Sequence, residues 1–488
     1  MSKINTANIK RLSSYIKRNG LKSSVVKVAE RLNRDEQEKG YSQDVFDLLM
    51  DKEQEEYERQ MEFTHRYKFS ILVPTYETGK RRITEMLESV FSQTYDTWEL
   101  CIADASESDD VLEAVNEIKV KYDGMLAGEN ATREIKYIRL KENRGISENT
   151  NEALKIATGE YIALLDHDDI LAKNALFEMA MVLEGGLKSE SGFLMNEIKL
   201  IYSDEDKCDD NLEKFFDYHK KPDFDIHLLR TNNYICHFLV VRRELALSVG
   251  GLNSEYDGAQ DHDFILRCVE RLGKNQVRHI PKVLYHWRSH ISSTATNPDS
   301  KLYAYEAGKK AVKSHLERLS IDATVSDTEH LGFFRVKNKV SAEDLTKVVF
   351  MDYETLKSKT LTQLQDEEYE YIMVLNDNVK PVNYDFVEEM LGILMHDDVG
   401  CVGGLVVSGS KIESAGYSFN EDGNMVADFS GLNKHFSGYL HRAKLTREVD
   451  GVCTDCMMVR KSEIMDGGVL NPKAKVVYCP YSVFKRVR

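Results

Sequence analysis

The sequence predicts an α/β fold with a largely parallel sheet over residues 67–300 of the 488. Three observations carry this expectation. Short apolar runs rich in strand formers alternate with segments of helical period. Four polar clusters follow such runs, and in a parallel sheet strand ends share one edge. One run, with its polar end, returns about 210 residues later as a weaker copy.

The elements follow in order. Lys68–Pro74 is an apolar strand stopped by proline, and Ile83, Met86, Leu87 and Val90 recur at helical spacing up to Phe91. Trp98–Asp104 is a second strand that ends in an acid, and Asp109–Tyr122 is a helix. Ile135–Leu140 is a third strand, Ser147–Thr158 a helix and Glu160–Leu165 the fourth strand. Thr75-Tyr76-Glu77, Asp104, Asn143-Arg144-Gly145 and Asp166–Asp169 all fall at the strand ends. In such sheets ligands bind outside the carboxyl ends of the strands.

The fourth strand drives into Asp166, Asp168 and Asp169. Carboxylates packed this closely repel one another. A divalent cation, Mg²⁺ or Mn²⁺, offsets the charge, and it keeps open positions for substrate phosphates. The competing reading is a solvated acidic turn that caps the next helix, a common place for Asp.

Residues 1–66 read as a helical, basic segment. Ile9, Leu12, Ile16, Val25, Val28 and Leu32 recur at helical spacing, with breaks at Gly20 and at Gly40-Tyr41-Ser42. Over residues 1–34 nine cations face one acid, Glu30. Such a helix suits peripheral contact with an anionic membrane surface. It equally suits a brace packed on the next domain with a solvated basic face. Residues 301–340 read as a helical and strand connector.

Residues 341–488 read as a partial, degenerate second module. Glu160–Asp168 is echoed by Glu370–Asn378, and Val240–Leu252 by Met458–Val469. The copy has lost its acids, because Asn376 and Asn378 replace Asp166 and Asp168. Neutral amides bind a hard cation far less well, so no metal site is expected there. The echo runs out after Asn471, with nothing like Asp261–Asp263. Chance similarity between two buried strands is the competing reading.

A net charge of −16 argues against nucleic acid as a partner of the whole molecule. No run reaches the ~18–20 apolar residues of a membrane span, and the N-terminus lacks the apolar core of a secretory signal. The eight scattered cysteines suit reduced core thiols in a cytoplasmic protein. Cys453-Thr454-Asp455-Cys456 lacks the second pair or histidine of a metal site.

Several blocks together resemble family 2 glycosyltransferases of the GT-A fold, the nucleotide-diphospho-sugar transferases with a Rossmann-like, mostly parallel sheet. They are Val73-Pro74-Thr75-Tyr76, Asp104, Asn143–Ser147, Gly159-Glu160-Tyr161 and Leu165–Asp169. Tyr202–Lys207, Gly250-Gly251-Leu252, Gln260–Phe264 and Leu284–Arg288 are similar to the branch that builds bacterial surface polysaccharides, including rhamnosyltransferases of O-antigen and rhamnan assembly. The likeness covers about residues 68–315, and more weakly 345–470. One departure is Gln260, where many relatives carry Glu.

The resemblance implies inverting transfer of a sugar from a nucleotide diphosphate to a hydroxyl, helped by a divalent metal. It puts Asp104 on the nucleobase, with Pro74, Thr75, Tyr76 and Glu77 lining that pocket, and Asp166 by the ribose. Asp168 would hold the metal with Asp166 nearby, and His286 would complete its shell. Arg144 is a phosphate or base contact, or a surface arginine in a turn. Arg288 would meet the diphosphate, for which a guanidinium fork is well shaped. Asp204, Glu205 and Asp206, read as a loop, would lie near the donor–acceptor junction; as residues alone they suit a solvated turn. Trp287 offers a stacking face for a sugar, or core.

Inversion needs one base for the acceptor hydroxyl. Asp261 is the first candidate, at the start of a helix running through Phe264, Leu266 and Val269, and Asp263 is the second. The competing role for both is an acidic first turn on the helix dipole. The leading expectation is a cytoplasmic glycosyltransferase at the inner membrane face, acting on a lipid-linked glycan. A non-catalytic partner in polysaccharide assembly is the alternative. A nucleotidyltransferase is disfavoured, because no Gly-rich phosphate loop follows the first strand.

Overall fold

A computed structural model describes residues 6–32, 53–126, 132–187, 198–289, 302–365, 367–420 and 422–487. The expected break at Gly40–Ser42 lies outside the described residues. The chain forms two compact units. The first is built on residues 34–224 and 233–315, the second on residues 1–33, 225–232 and 316–488.

Among the described residues, the first unit holds nine strands: β1 Phe69–Thr75, β2 Trp98–Asp104, β3 Arg133–Arg139, β4 Tyr161–Leu164, β5 Ile170–Leu171, β6 Leu200–Asp209, β7 Phe215–His219, β8 Leu239–Arg242 and β9 Val277–Ser289. Their spatial order is β3-β2-β1-β4-β8-β6-β9-β5, with β7 on the outside of β6. Neighbours from β3 to β4 are parallel, as are β6 and β9. β8 runs antiparallel to both β4 and β6. The α/β expectation therefore holds.

All seven residues of β1 and of β2 are buried, which is why these strands read as unbroken apolar runs. Helices Lys80–Phe91 and Asp110–Lys121 cover the sheet, the first through Ile83, Met86, Leu87 and Val90. Each buried aliphatic side chain contributes about 1.5–3 kcal/mol. The antiparallel course of β8 has a consequence for the site. Its beginning, not its end, lies beside the carboxyl ends of β1 and β4.

The second unit repeats this plan. Its main sheet runs Val348–Met351, Tyr371–Leu375, Cys456–Arg460, Val399–Ser408, Lys475–Arg486 and Val379–Pro381. The sequence of parallel and antiparallel pairings matches β1-β4-β8-β6-β9-β5 at every step. The register agrees too. Tyr161 opposes Arg242 and Tyr371 opposes Arg460. Each arginine lies over its tyrosine ring, at 5.4 and 5.6 Å. A bulge follows Ser203 in β6, and one follows Gly404 in the matching strand.

The copy does not run out after Asn471. Lys475–Arg486 stands in the place of β9. Among the described residues no counterpart of β2 and β3 is present, because Val348–Met351 is an edge strand. A short hairpin, Ile464–Met465 with Val469–Leu470, takes the place of the helix Gln260–Val269. The copy thus lacks the element that carries Asp261.

The helix Thr6–Leu32 breaks at Gly20, whose φ of 78° suits glycine. Within its unit it packs through Glu30, which accepts from Ser437 N (2.8 Å), Ser437 Oγ (3.0 Å) and Gly438 N (2.9 Å). Leu21, Val25 and Val28 remain exposed.

Candidate functional site

The carboxyl edge of the sheet brings together groups that lie far apart in the chain. Asp166 follows β4, and its N–H is held by the Tyr285 hydroxyl at 3.3 Å. Burial raises the Asp166 pKa; the neighbouring Asp168 and Asp261 add to the rise, and His237 and His167 oppose it. Asp261, 95 residues downstream, therefore lies within electrostatic reach of the acidic strand end. It sits in the first turn of the helix Gln260–Val269. Asn233 Nδ2 donates to its Oδ2 (3.0 Å), and the backbone N–H of His262 to its Oδ1 (2.9 Å).

Asp263 does not share this setting. It is fully buried, and Arg267 holds its Oδ2 through Nε (2.8 Å) and Nη2 (2.7 Å). Arg267 Nη1 also ties down the carbonyls of Val249 and Gly251. Asp263 is a helix-anchoring ion pair, and the second candidate for base is withdrawn.

Asp204, Glu205 and Asp206 are not a loop or a solvated turn. They lie in β6 and are buried. Histidines from neighbouring strands compensate them. Asp204 accepts from His279 Nε2 and Lys221 N, both at 2.8 Å, and from the Tyr218 hydroxyl at 2.7 Å. Asp206 pairs with His286 Nδ1 at 2.6 Å. Glu205 meets His219 Nδ1 at 3.0 Å, the backbone N–H of His237, and Lys221 Nζ at 3.8 Å. Burial pushes Glu205 up, but Lys221, His219 and His237 overcome it and the carboxyl falls to about 2. Glu205 is thus a fixed anion. It lies within electrostatic reach of Cys236, as do Asp166 and Asp261.

For the expected metal, the strand end offers two candidate ligands. Asp166 and Asp168 are hard oxygen donors whose mutual repulsion a cation relieves. Mg²⁺ commonly takes one or two carboxylates and fills the rest with water and phosphate oxygens. The two acids fit that pattern. His286 does not join them. Among the described residues, no three His, Cys, Asp or Glu side chains converge as a metal-binding group. His286 is instead buried against Asp206 and the Phe215 ring.

Arg288 also departs from expectation. It is fully buried. Its Nε donates to the Asp168 carbonyl (2.6 Å), and its Nη1 to Glu85 (2.5 Å) and the Asp210 carbonyl (3.0 Å). These contacts brace the acidic turn and leave only Nη2 for anything else. Asp169 completes the brace, accepting from Arg288 N (2.7 Å) and the Tyr285 hydroxyl (2.5 Å).

On the other side of the edge, Asp104 closes β2 and is fully buried. It accepts from Thr75 Oγ1 (2.9 Å), Ser106 N (3.0 Å) and Tyr137 (2.7 Å), with Arg139 Nε at 3.3 Å. Pro74 and Thr75 are buried within β1. Tyr76 is exposed beside them, and Glu77 adopts a left-handed φ of 49° with its N–H on Ser106 Oγ. Arg144 is exposed and paired with Glu152 at 2.7 Å. Trp287 is half-buried and meets His237 edge-on at 6.0 Å; His237 stacks on Tyr285 at 4.7 Å.

Sequence reasoning missed His237, Lys221, Asn233 and Tyr285. Only the antiparallel course of β8 brings the Asn233–Phe238 segment to this edge.

Residues 70–189 match the family profile described as Glycosyl transferase family 2. The chain is 28% identical to the uncharacterized protein y4gI of Sinorhizobium fredii, over 86% of this chain and 51% of that protein. It is 29% identical to the O-antigen biosynthesis protein RfbC of Myxococcus xanthus, over 66% of this chain and 24% of that protein. A third relative is the UDP-Glc:alpha-D-GlcNAc-diphosphoundecaprenol beta-1,3-glucosyltransferase WfgD of Escherichia coli. It is 33% identical over 25% of this chain and 43% of its own length. The chain thus spans about half, or less, of the length of these relatives. Residues 70–189 are thus similar to glycosyl transferase family 2.

Proposed function

We propose that the protein is an inverting glycosyltransferase that moves a sugar from a nucleotide-diphospho-sugar to a hydroxyl of a lipid-linked polysaccharide acceptor. The observation that carries this reading is that Asp168 and Asp261 both act electrostatically on Asp166 at one sheet edge. The match of residues 70–189 to the family profile supports the class of reaction. The names of the relatives from M. xanthus and E. coli support a cell-surface polysaccharide and a lipid carrier.

In this reading Asp168 and Asp166 hold a divalent metal. The metal, when bound, supplies Lewis-acid neutralisation of the leaving diphosphate. Asp261 takes the proton of the acceptor hydroxyl as that oxygen attacks the anomeric carbon. Arg288 keeps the acidic turn in place through the Asp168 carbonyl. The half-buried Trp287 offers an aromatic face to a sugar ring.

We place the reaction at the inner membrane face. Among the described residues no helix is long and apolar enough to cross a membrane. Leu21, Val25 and Val28 are exposed, with Lys17, Arg18 and Lys27 on the same helix. Glu30, the only acid of residues 1–34, is turned onto Ser437 and Gly438. Cations beside an exposed apolar stripe suit an anionic surface.

The test is metal-dependent hydrolysis or transfer with a panel of nucleotide-sugars. Turnover with Mn²⁺ is expected, and Asp168→Ala should abolish it. Activity untouched by that substitution, or by chelation, would sink the metal assignment.

A further inference from the structure

The second unit is an internal comparison for the first. It keeps the strand order, the register and the bulge. Yet it carries Leu405, Val406 and Val407 where β6 carries Asp204, Glu205 and Asp206. This sheet folds without the three charges. Buried ion pairs are weak evidence of stability, because desolvation offsets their attraction. Their presence in the first unit calls for another role.

Glu205 is the one that reaches the acidic edge. It holds the backbone N–H of His237. Lys221, fully buried beside it, donates Nζ to the carbonyls of Ile235 (2.9 Å) and His237. Anion and cation together grip both the N–H and the C=O groups of one short segment. That segment begins with Asn233, whose amide reaches Asp261. A carboxylate only accepts, so Nδ2 of Asn233 must face it. The second Asp261 oxygen is held by its own helix turn.

We propose that Asn233 is a positioning residue for Asp261, and that the Glu205–Lys221 pair is the clamp that fixes the segment presenting it. The proposal rests on Asp261 being the base. The tether orients the carboxylate before the acceptor arrives, so the step loses less entropy at the moment of reaction. A buried clamp suits this task, since its geometry is enforced by desolvation and not by flexible surface contacts.

The full chain with Mn²⁺ is assayed on UDP-glucose, UDP-N-acetylglucosamine, GDP-mannose and dTDP-rhamnose, alongside calorimetric binding of UDP. Asn233→Ala is expected to lower kcat at least ~10-fold, with UDP affinity and Tm unchanged. Asn233→Asp is isosteric but loses the donor, and it should be as damaging as alanine; a packing role would tolerate it. Lys221→Met should reproduce the kcat loss, and the asparagine variants decide the matter if it does not fold. Wild-type kcat in both asparagine variants, beside an inactive Asp261→Asn, overturns the proposal and leaves the functional reading intact. Wild-type turnover by Asp261→Asn, or no turnover of any donor by the unmodified chain, removes that reading and the proposal with it.

Discussion

The hydroxyl of Tyr285 donates to Asp169 at 2.5 Å, and Asp166 N–H approaches the same oxygen at 3.3 Å. One phenol thus pins two points of the acidic turn. In the second unit the matching position is Phe484, opposite Pro381 as Tyr285 is opposite Leu171. The ring fits the sheet without its hydroxyl, so Tyr285→Phe isolates the hydrogen bonds. Removing one of the two donors of this buried acid costs about 1–3 kcal/mol. Urea unfolding should show that loss. An unchanged midpoint would mean that Asp169 does not depend on Tyr285.

His330 sets an acid limit on the second unit. Its ring stacks on His441 with 3.6 Å between centroids. Burial, then the charges of Lys27 and Arg18, push the imidazole down to about 4. The folded state keeps the ring neutral, while the unfolded chain takes a proton near the ordinary value of about 6.5. A depressed folded pKa gives stability that is present above pH 6.5 and is lost as pH falls toward 4. The loss approaches roughly 3 kcal/mol. Denaturant midpoints at pH 7 and pH 5 measure it, and His330→Phe should flatten that difference. A His330→Phe protein with the same pH slope would exclude this source.

Some of the site is legible in the sequence because it depends on local pattern. β1, β2 and β4 are buried apolar runs, so their carboxyl ends, with Asp104 and Asp166, can be placed before any fold is known. The β6 acids fail the same reading. Asp204-Glu205-Asp206 looks solvated because its compensation by His279, Lys221, His219 and His286 is non-local. Lys221 and Asn233 are invisible for a related reason: nothing local reveals that β8 runs against its neighbours. The last strand of the copy hides differently. Its residues at the positions of Tyr285, His286 and Trp287 are Phe484, Lys485 and Arg486, so pairing persists where identity does not.

Cys453 and Cys456 close a β-turn, with Cys456 N on the Cys453 carbonyl at 3.2 Å. A hydrogen bond from Cys456 brings the Cys453 thiol down to about 7, against burial, and Arg486 helps. Burial pushes Cys101 and Cys401 up to about 12. Thiolate character governs alkylation. Iodoacetamide at pH 7.5 should therefore label Cys453 before those two, read by peptide mass mapping, and Cys453→Ser should remove the fast phase. First labelling at Cys101 or Cys401 would refute the assignment.

Restoring the lost acids of the copy should not restore chemistry. Asn376 Nδ2 donates to Asp455 at 2.7 Å, and Asn378 bonds the same carboxylate. Arg486 Nη1 meets Asp455 at 2.5 Å and its Nε meets Glu413 at 3.0 Å. This network already balances its charges with a guanidinium, where the first unit has Trp287. Asn376→Asp and Asn378→Asp place new carboxylates against Asp455, which a cation must then compete with Arg486 to relieve. Among the described residues, a short hairpin stands where the helix that would carry a base is expected. In an Asp168→Asn background, the double substitution should give no Mn²⁺-dependent turnover and should lower stability by about 1–3 kcal/mol through like-charge contact. Recovered turnover in that triple variant would show that the second unit retains a complete site.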